Sequence, residues 1–222
     1  MEFDHIVPSE IIFQEKLVIS EFSAIFLVVL RSQLCVMKVH HGRGPRRYYE
    51  PADRELDIHV REYTAYCRLQ SRGLCGRIVP NLLGRLRKFD PQLCQPHLNT
   101  FINDEYLTSA LFLEYIPGME MIDLHNFSET RMDNFISGIG VIHQALVLHG
   151  DTKPRNMMVF KDEPTRVLWI DFDRAQTYNE DTITDRRRGF LADEEEIVRD
   201  LRECLREDCL TGEYKESYLF YC

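Results

Sequence analysis

The 222-residue chain lacks any long apolar run; the longest, Ala24 to Leu30, is far too short to cross a bilayer, so no membrane span is expected. Its first residues, Met1-Glu2-Phe3-Asp4-His5, carry neither a basic segment nor an apolar core, and no secretory leader is read there. The seven cysteines are odd in number and follow no framework spacing. That usage fits a reducing, cytoplasmic setting better than a secreted scaffold. No Cys-x-x-Cys pair or His/Cys ligand spacing supports zinc, and Cys204 and Cys209 read as packing residues of a helix. Basic residues, 27 Lys and Arg, are outnumbered by 36 Asp and Glu. A net charge of −9 gives no general field for nucleic acid or an anionic membrane. Arg46-Arg47 and Arg186-Arg187-Arg188 read as solvated surface. Internal repeats and low-complexity tracts are missing. One local absence carries more weight: Leu17 to Ala24, a turn between two apolar segments, contains no glycine.

What is present suits an ordinary globular protein, 44% hydrophobic and 28% charged. Ile11 to Leu17, Phe22 to Leu30 and Leu34 to Val39 are short, β-branched and apolar, and predict three antiparallel strands. Pro51 opens and Gly73 closes a helical pattern. Within it Leu56, Val60, Tyr63 and Cys67 form one stripe, and Ile58, Glu62, Ala65 and Leu69 another. Ile78 to Leu86 and Ala110 to Ile116 predict two more strands, joined by a loop over Phe89 to Asp104. Pro117-Gly118 marks a joint. From Asp123 the chain turns helical, with Phe135, Ile139, Ile142 and Leu146 on one stripe running into His149. A last helix is predicted from about Asp193 to Glu207, with Ile197, Leu201 and Leu205 on one face.

The chemistry-bearing segment is His149-Gly150-Asp151-Thr152-Lys153-Pro154-Arg155-Asn156, followed by an apolar strand (Val167-Leu168-Trp169-Ile170) and then Asp171-Phe172-Asp173. An Asp can hold and deprotonate an attacking hydroxyl. An Asn five residues on and a second Asp after a strand supply hard oxygen ligands for magnesium. Upstream, Cys35-Val36-Met37-Lys38-Val39 sets one lysine in an apolar strand, which is costly unless the lysine is paired. Glu62 in the following helix is the expected partner, with Glu55 as the fallback. His149 is assigned a packing role.

These motifs in this order resemble the protein-kinase-like superfamily. The likeness is greatest to compact fungal kinase-like proteins carrying Glu-Tyr-Ile-Pro-Gly, His-Gly-Asp and Ile-Asp-Phe-Asp, and extends to small atypical kinases and aminoglycoside phosphotransferases. The resemblance covers most of the chain. It implies an α+β, bilobal kinase-like fold: a small antiparallel-sheet N-lobe over 1–116 and a reduced, mainly helical C-lobe over 117–222. It implies ATP and Mg2+ as cofactors and an unidentified hydroxyl-bearing acceptor. Asp151 and Lys153 would be catalytic, with Lys153 contacting the γ-phosphate. Asn156 and Asp171 would bind metal, and Lys38 with Glu62 would orient the α- and β-phosphates. Glu114 and Ile116 lie in Leu113-Glu114-Tyr115-Ile116-Pro117-Gly118, whose backbone would meet adenine, and Asp123 would either reach the ribose or cap a helix.

Four departures shape the reading. The glycine-rich loop is missing, with Ser20 and Ser23 as candidate substitutes and Glu21 a repulsive charge if turned inward. Asp173 replaces the glycine of Asp-Phe-Gly and is a candidate extra ligand. Gly150 stands where regulated kinases carry an arginine. No Ala-Pro-Glu follows, and only about fifty residues remain after Asp173. Together they predict an atypical kinase acting on a small molecule or a specialised protein. The alternative is a pseudokinase, a nucleotide-binding or scaffold module with a protein partner; reuse of the pocket for other small-molecule chemistry is a third, weaker reading.

Overall fold

The computed structural model describes residues 3–222. It is α+β, with a mostly antiparallel sheet and three substantial helices. Contacts group the chain into two units, Met1–Tyr63 with Asn81–Tyr115, and Thr64–Pro80 with Ile116–Cys222. Among the described residues no helix is long and apolar enough to cross a membrane.

In the first unit β1 (Ile11–Ile19), β2 (Ser23–Leu30) and β3 (Gln33–His40) form a meander. The helix α1 (Ile58–Ser71) begins at the end of this unit's first segment. β4 (Leu82–Phe89) and β5 (Thr108–Glu114) complete an antiparallel sheet of order β1-β2-β3-β5-β4. Side chains alternate across each strand. Ala24, Phe26 and Val28 of β2 therefore meet Cys35, Met37 and Val39 of β3 in one core. That alternation sends Val36, Lys38 and His40 to the opposite face. The connection expected as a loop over 89–104 folds two single 3-10 turns, Pro91–Cys94 and Asn99–Phe101, and buries Leu98 and Phe101 in the same core.

Helix α1 starts at Ile58, not at Pro51. The Asp57 carboxylate accepts from the Val60 amide at 3.2 Å and so satisfies an orphan donor of the first turn. Residues ahead of it are held by other bonds: Arg46 donates to the carbonyls of Ala52 and Arg54. The expected stop at Gly73 holds, with φ +69 and the paired bonds Gly73 to Gln70 and Leu74 to Leu69 that close a Schellman motif. β4 starts four residues later than its apolar run suggests, because Val79 is taken by a bridge to Cys75.

In the second unit Ser128, not Asp123, caps α2 (Glu129–Gln144); its hydroxyl accepts from the Arg131 amide. Asp123 lies in a side-chain-closed turn, accepting from the His125 and Asn126 amides at 2.8 and 3.0 Å. Phe135, Ile139 and Ile142 are buried as expected. Leu146 is not part of that stripe: the helix ends at Gln144 and Leu146 turns the chain in a left-handed conformation, φ +61. β6 (Met119–Met121), β8 (Met157–Phe160) and β9 (Val167–Trp169) form one small sheet, and β7 (Val147–Leu148) pairs with β10 (Gln176–Thr177). The final long helix α3 (Asp185–Thr211) begins eight residues before the expected start, capped by the Thr184 hydroxyl, and stops at left-handed Gly212. Its inward face is Leu191, Glu194, Val198, Leu201, Leu205 and Asp208, so Ile197 points outward and Val198 fills the core. A short helix, α4 (Tyr218–Tyr221), follows.

Candidate functional site

The face of α1 that becomes buried runs His59, Glu62, Ala65, Tyr66 and Leu69, spaced three and four apart. Glu62 is thereby taken out of water, opposite the strand face that carries Lys38 and His40. The Lys38 ammonium lies 3.0 and 2.8 Å from the two Glu62 oxygens, and His40 Nε2 lies 2.9 Å from Oε2. Lys38 is 4% exposed and Glu62 and His40 are fully buried. Burial by itself would raise the Glu62 carboxyl; the Lys38 charge and the His40 bond and charge outweigh it and hold the group at about 2. Glu55, the fallback, precedes the helix, is exposed, and accepts from the Leu56 and Asp57 amides.

His59 stands beside this group, its ring 5.7 Å from that of His40, and neither of its nitrogens has a partner among the described residues. Burial, then the His40 charge, push it from the ordinary 6.5 to about 3. Below about pH 6.5 the unfolded ring takes up a proton that the folded ring refuses, so stability is present above 6.5 and is lost as pH falls toward 3. The slope is roughly 1.4 kcal/mol per pH unit at most. Urea midpoints measured from pH 8 to 4 should fall in the native chain. His59→Phe should flatten that limb down to about pH 4.5, where Glu62 begins to titrate in the unfolded chain.

The glycine-free turn closes without glycine because no residue from 17 to 24 takes a positive φ. The Ser20 hydroxyl accepts from the Phe22 and Ser23 amides at 3.2 and 3.1 Å and donates to the Ser23 carbonyl. Those amides are thus spent inside the turn. Glu114 ends β5, where its Oε2 accepts from the backbone and side-chain nitrogens of Asn81 at 3.1 and 2.8 Å. Ile116 belongs to the second unit and packs with Met158, Phe160 and Leu168.

The second group of residues lies wholly in the second unit. After β7 the chain reaches buried His149, whose Nε2 meets the Ile170 carbonyl at 3.0 Å and whose ring lies tilted against Phe172, centroids 4.5 Å apart. Gly150 has φ +80, and a Cβ there would stand 2.5 Å from the Arg174 carbonyl oxygen, so an arginine at this position has no room. Asp151 follows, 9% exposed. Asn156 Nδ2 donates to the Asp151 carboxylate and carbonyl, both at 2.9 Å, which leaves cation binding to Asn156 Oδ1. The Ile170 amide donates to the Asn156 carbonyl at 3.1 Å, so Asp171 is delivered next to that asparagine. Asp171 itself is left-handed at φ +66, a conformation costly for a residue with a Cβ and common at functional sites.

Three participants were not foreseen from sequence. Arg155 Nη2 bridges both Asp151 oxygens at 2.9 and 2.8 Å, with its side chain 46% exposed. His40 joins the Lys38–Glu62 pair. Glu194 reaches from α3 to accept from the His149 amide at 2.9 Å and the Gly150 amide at 2.7 Å, and lies 2.8 Å from His143 Nε2. Burial opposes the Glu194 charge, but the His143 bond, the His149 charge and the two amides hold its carboxyl below the usual range. A signal for it exists in hindsight: Glu194 sits three and four residues from Leu191 and Val198, on the apolar ridge. The Lys153 ammonium bonds the backbone oxygen of Cys222.

An asparagine oxygen and one carboxylate suit magnesium, which is commonly held by one or two protein oxygens plus phosphate and water. No family model matches this chain, and no curated protein matches it.

Proposed function

We propose that this chain is an ATP- and magnesium-dependent phosphotransferase on a bilobal, kinase-like fold, working in the reducing cytoplasm that its free cysteines suit. The observation that carries the reading is the loop in which Asn156 is bound to Asp151, Ile170 to Asn156, and Asp171 is held left-handed beside them. Lys38, fixed by buried Glu62, would meet the α- and β-phosphates of ATP. Glu114 and Ile116 would contribute at the adenine end. Magnesium, held by Asn156 Oδ1 and Asp171, would neutralise charge on the phosphate oxygens.

Asp151 would orient the acceptor hydroxyl. As the acceptor oxygen bonds the γ-phosphorus, the bond to the β–γ bridging oxygen breaks, ADP leaves, and the hydroxyl proton passes to the Asp151 carboxylate. The hydroxyl would share or displace the exposed Arg155, and Lys153 would exchange its carbonyl partner for the γ-phosphate. Asp173 is not required by this scheme. Absence of an added basic field argues against nucleic acid as the acceptor.

One observation favours a pseudokinase instead: the Phe22 and Ser23 amides are already bonded to Ser20 and cannot also cradle phosphate. Two measurements separate the readings. Mg-ATP at a hundredfold excess over Kd should stabilise the native chain by about 2.7 kcal/mol, and Asp171→Ala should lose this gain. γ-Labelled ATP should then label an acceptor with the native chain and not with Asp151→Ala. Stabilisation without labelling would move the assignment to a nucleotide-binding pseudokinase, and no stabilisation would remove the phosphotransferase and favour a nucleotide-free scaffold.

A further inference from the structure

A pocket of about 490 Å³ opens beside Asp151 within the second unit. One wall is a single face of α3, where Phe190, Asp193 and Ile197 follow at helical spacing. Leu219 and Phe220 of α4 form another part of the lining. Phe190, Ile197 and Leu219, 40%, 45% and 76% exposed, give the pocket an apolar lining.

Both parts are anchored. Glu194 ties α3 to the amides of His149 and Gly150, next to Asp151. Asp208 accepts from the Lys215, Glu216 and Ser217 amides and from the Ser217 hydroxyl, which fixes the entry to α4, and the Tyr221 hydroxyl donates to the Ile122 carbonyl. The size is that of pockets for small molecules.

Much of the polar lining is committed: Glu194 receives two amides and faces His143, and Asp151 receives Arg155 and Asn156. Thr152 also lines the pocket, and Arg174 and Asp193 are exposed beside it. A polyol or amino sugar would bury several hydroxyls with few partners, each a desolvation cost. A peptide would add backbone groups that need partners, and the lining is helix and loop with only the strand residue Leu148. A compound with an apolar body needs one polar contact, at its hydroxyl.

Resting on the phosphotransferase reading, we infer that this pocket is the acceptor site and that the acceptor is a small alcohol with an alkyl or aryl body, its hydroxyl turned to Asp151. The test uses the full chain and two probes, 3-phenylpropan-1-ol and 1-octanol, with glycerol and a seryl peptide as contrasts. Ligand-observed NMR without nucleotide should show saturable binding of both alcohols and none of glycerol. Ile197→Asp and Phe190→Ser change exposed side chains, so the fold should hold by circular dichroism, and each should raise the alcohol Kd about tenfold. Alcohol binding that is absent, or is unaltered in both variants, overturns the inference. With Mg-ATP added, phosphate esters of the alcohols are expected by mass spectrometry. Binding without ester formation removes the phosphotransferase reading but leaves the pocket and its ligand class standing. Ester formed only on glycerol or the peptide, with no alcohol bound, removes the inference and leaves the phosphotransferase.

Discussion

Glu62→Ala is expected to cost about 3–5 kcal/mol of folding stability, the range for removing one partner of a buried charge pair. The size follows from what remains. The Lys38 ammonium stays in a strand where it is 4% exposed, and His40 stays fully buried, both deprived of the carboxylate they now share. Water cannot reach either group without opening the sheet from α1. The loss should appear as a lower urea midpoint with an unchanged slope. A change of under 1 kcal/mol would sink the idea that Glu62 is the buried counter-ion. Lys38→Met combined with Glu62→Leu should recover much of the stability, because apolar replacements remove the desolvation cost of both ions. Recovery should stop short of the native value, since His40 keeps a buried nitrogen without its acceptor. The double variant also separates roles: a fold restored without Lys38 should still fail to gain stability from Mg-ATP if the lysine meets phosphate.

Where alternation of side chains sets the outcome, the sequence was legible. β1, β2 and β3 lie within two residues of their expected bounds, because apolar and β-branched residues recur at period two and one face is wholly buried. Lys38 and Glu62 were legible as a pair because a lysine within such a strand needs a counter-charge. The start of α1 was not. Pro51 is a good first helical residue, yet the decision fell to Asp57 and to Arg46, whose bonds to Ala52 and Arg54 hold those residues outside the helix. For α3 the inward ridge was misread by one residue, Ile197 for Val198, because two carboxylates, Glu194 and Asp208, occupy core positions and interrupt the apolar count. His40 carried a signal that went unused, since it stands two residues after Lys38 on the same face of β3, whereas Arg155 finds its carboxylate only once the loop has formed.

Glu194→Ala is expected to cost about 3–5 kcal/mol as well, but to act at a different place. Its two oxygens receive the amides of His149 and Gly150 and face one nitrogen of His143, and the residue is 6% exposed. Gly150 is left-handed and in close contact with Arg174, so this stretch has little helix or sheet pairing of its own to fall back on. The amides of His149 and Gly150 should therefore lose hydrogen-exchange protection, while amides of β2 and β3 in the first unit keep theirs relative to global stability. Glu194→Gln should fall between: its carbonyl oxygen can accept one amide, but its NH2 group must face another donor. If Asp151 is the residue that orients an acceptor, this half-satisfied variant should lose kcat more than it raises KM, since misplacing Asp151 harms the reacting geometry rather than the binding of substrate. Equal protection of His149 and Gly150 in the native chain and Glu194→Ala would show that the loop holds its own shape, and would return Glu194 to the ordinary role of a buried partner for His143.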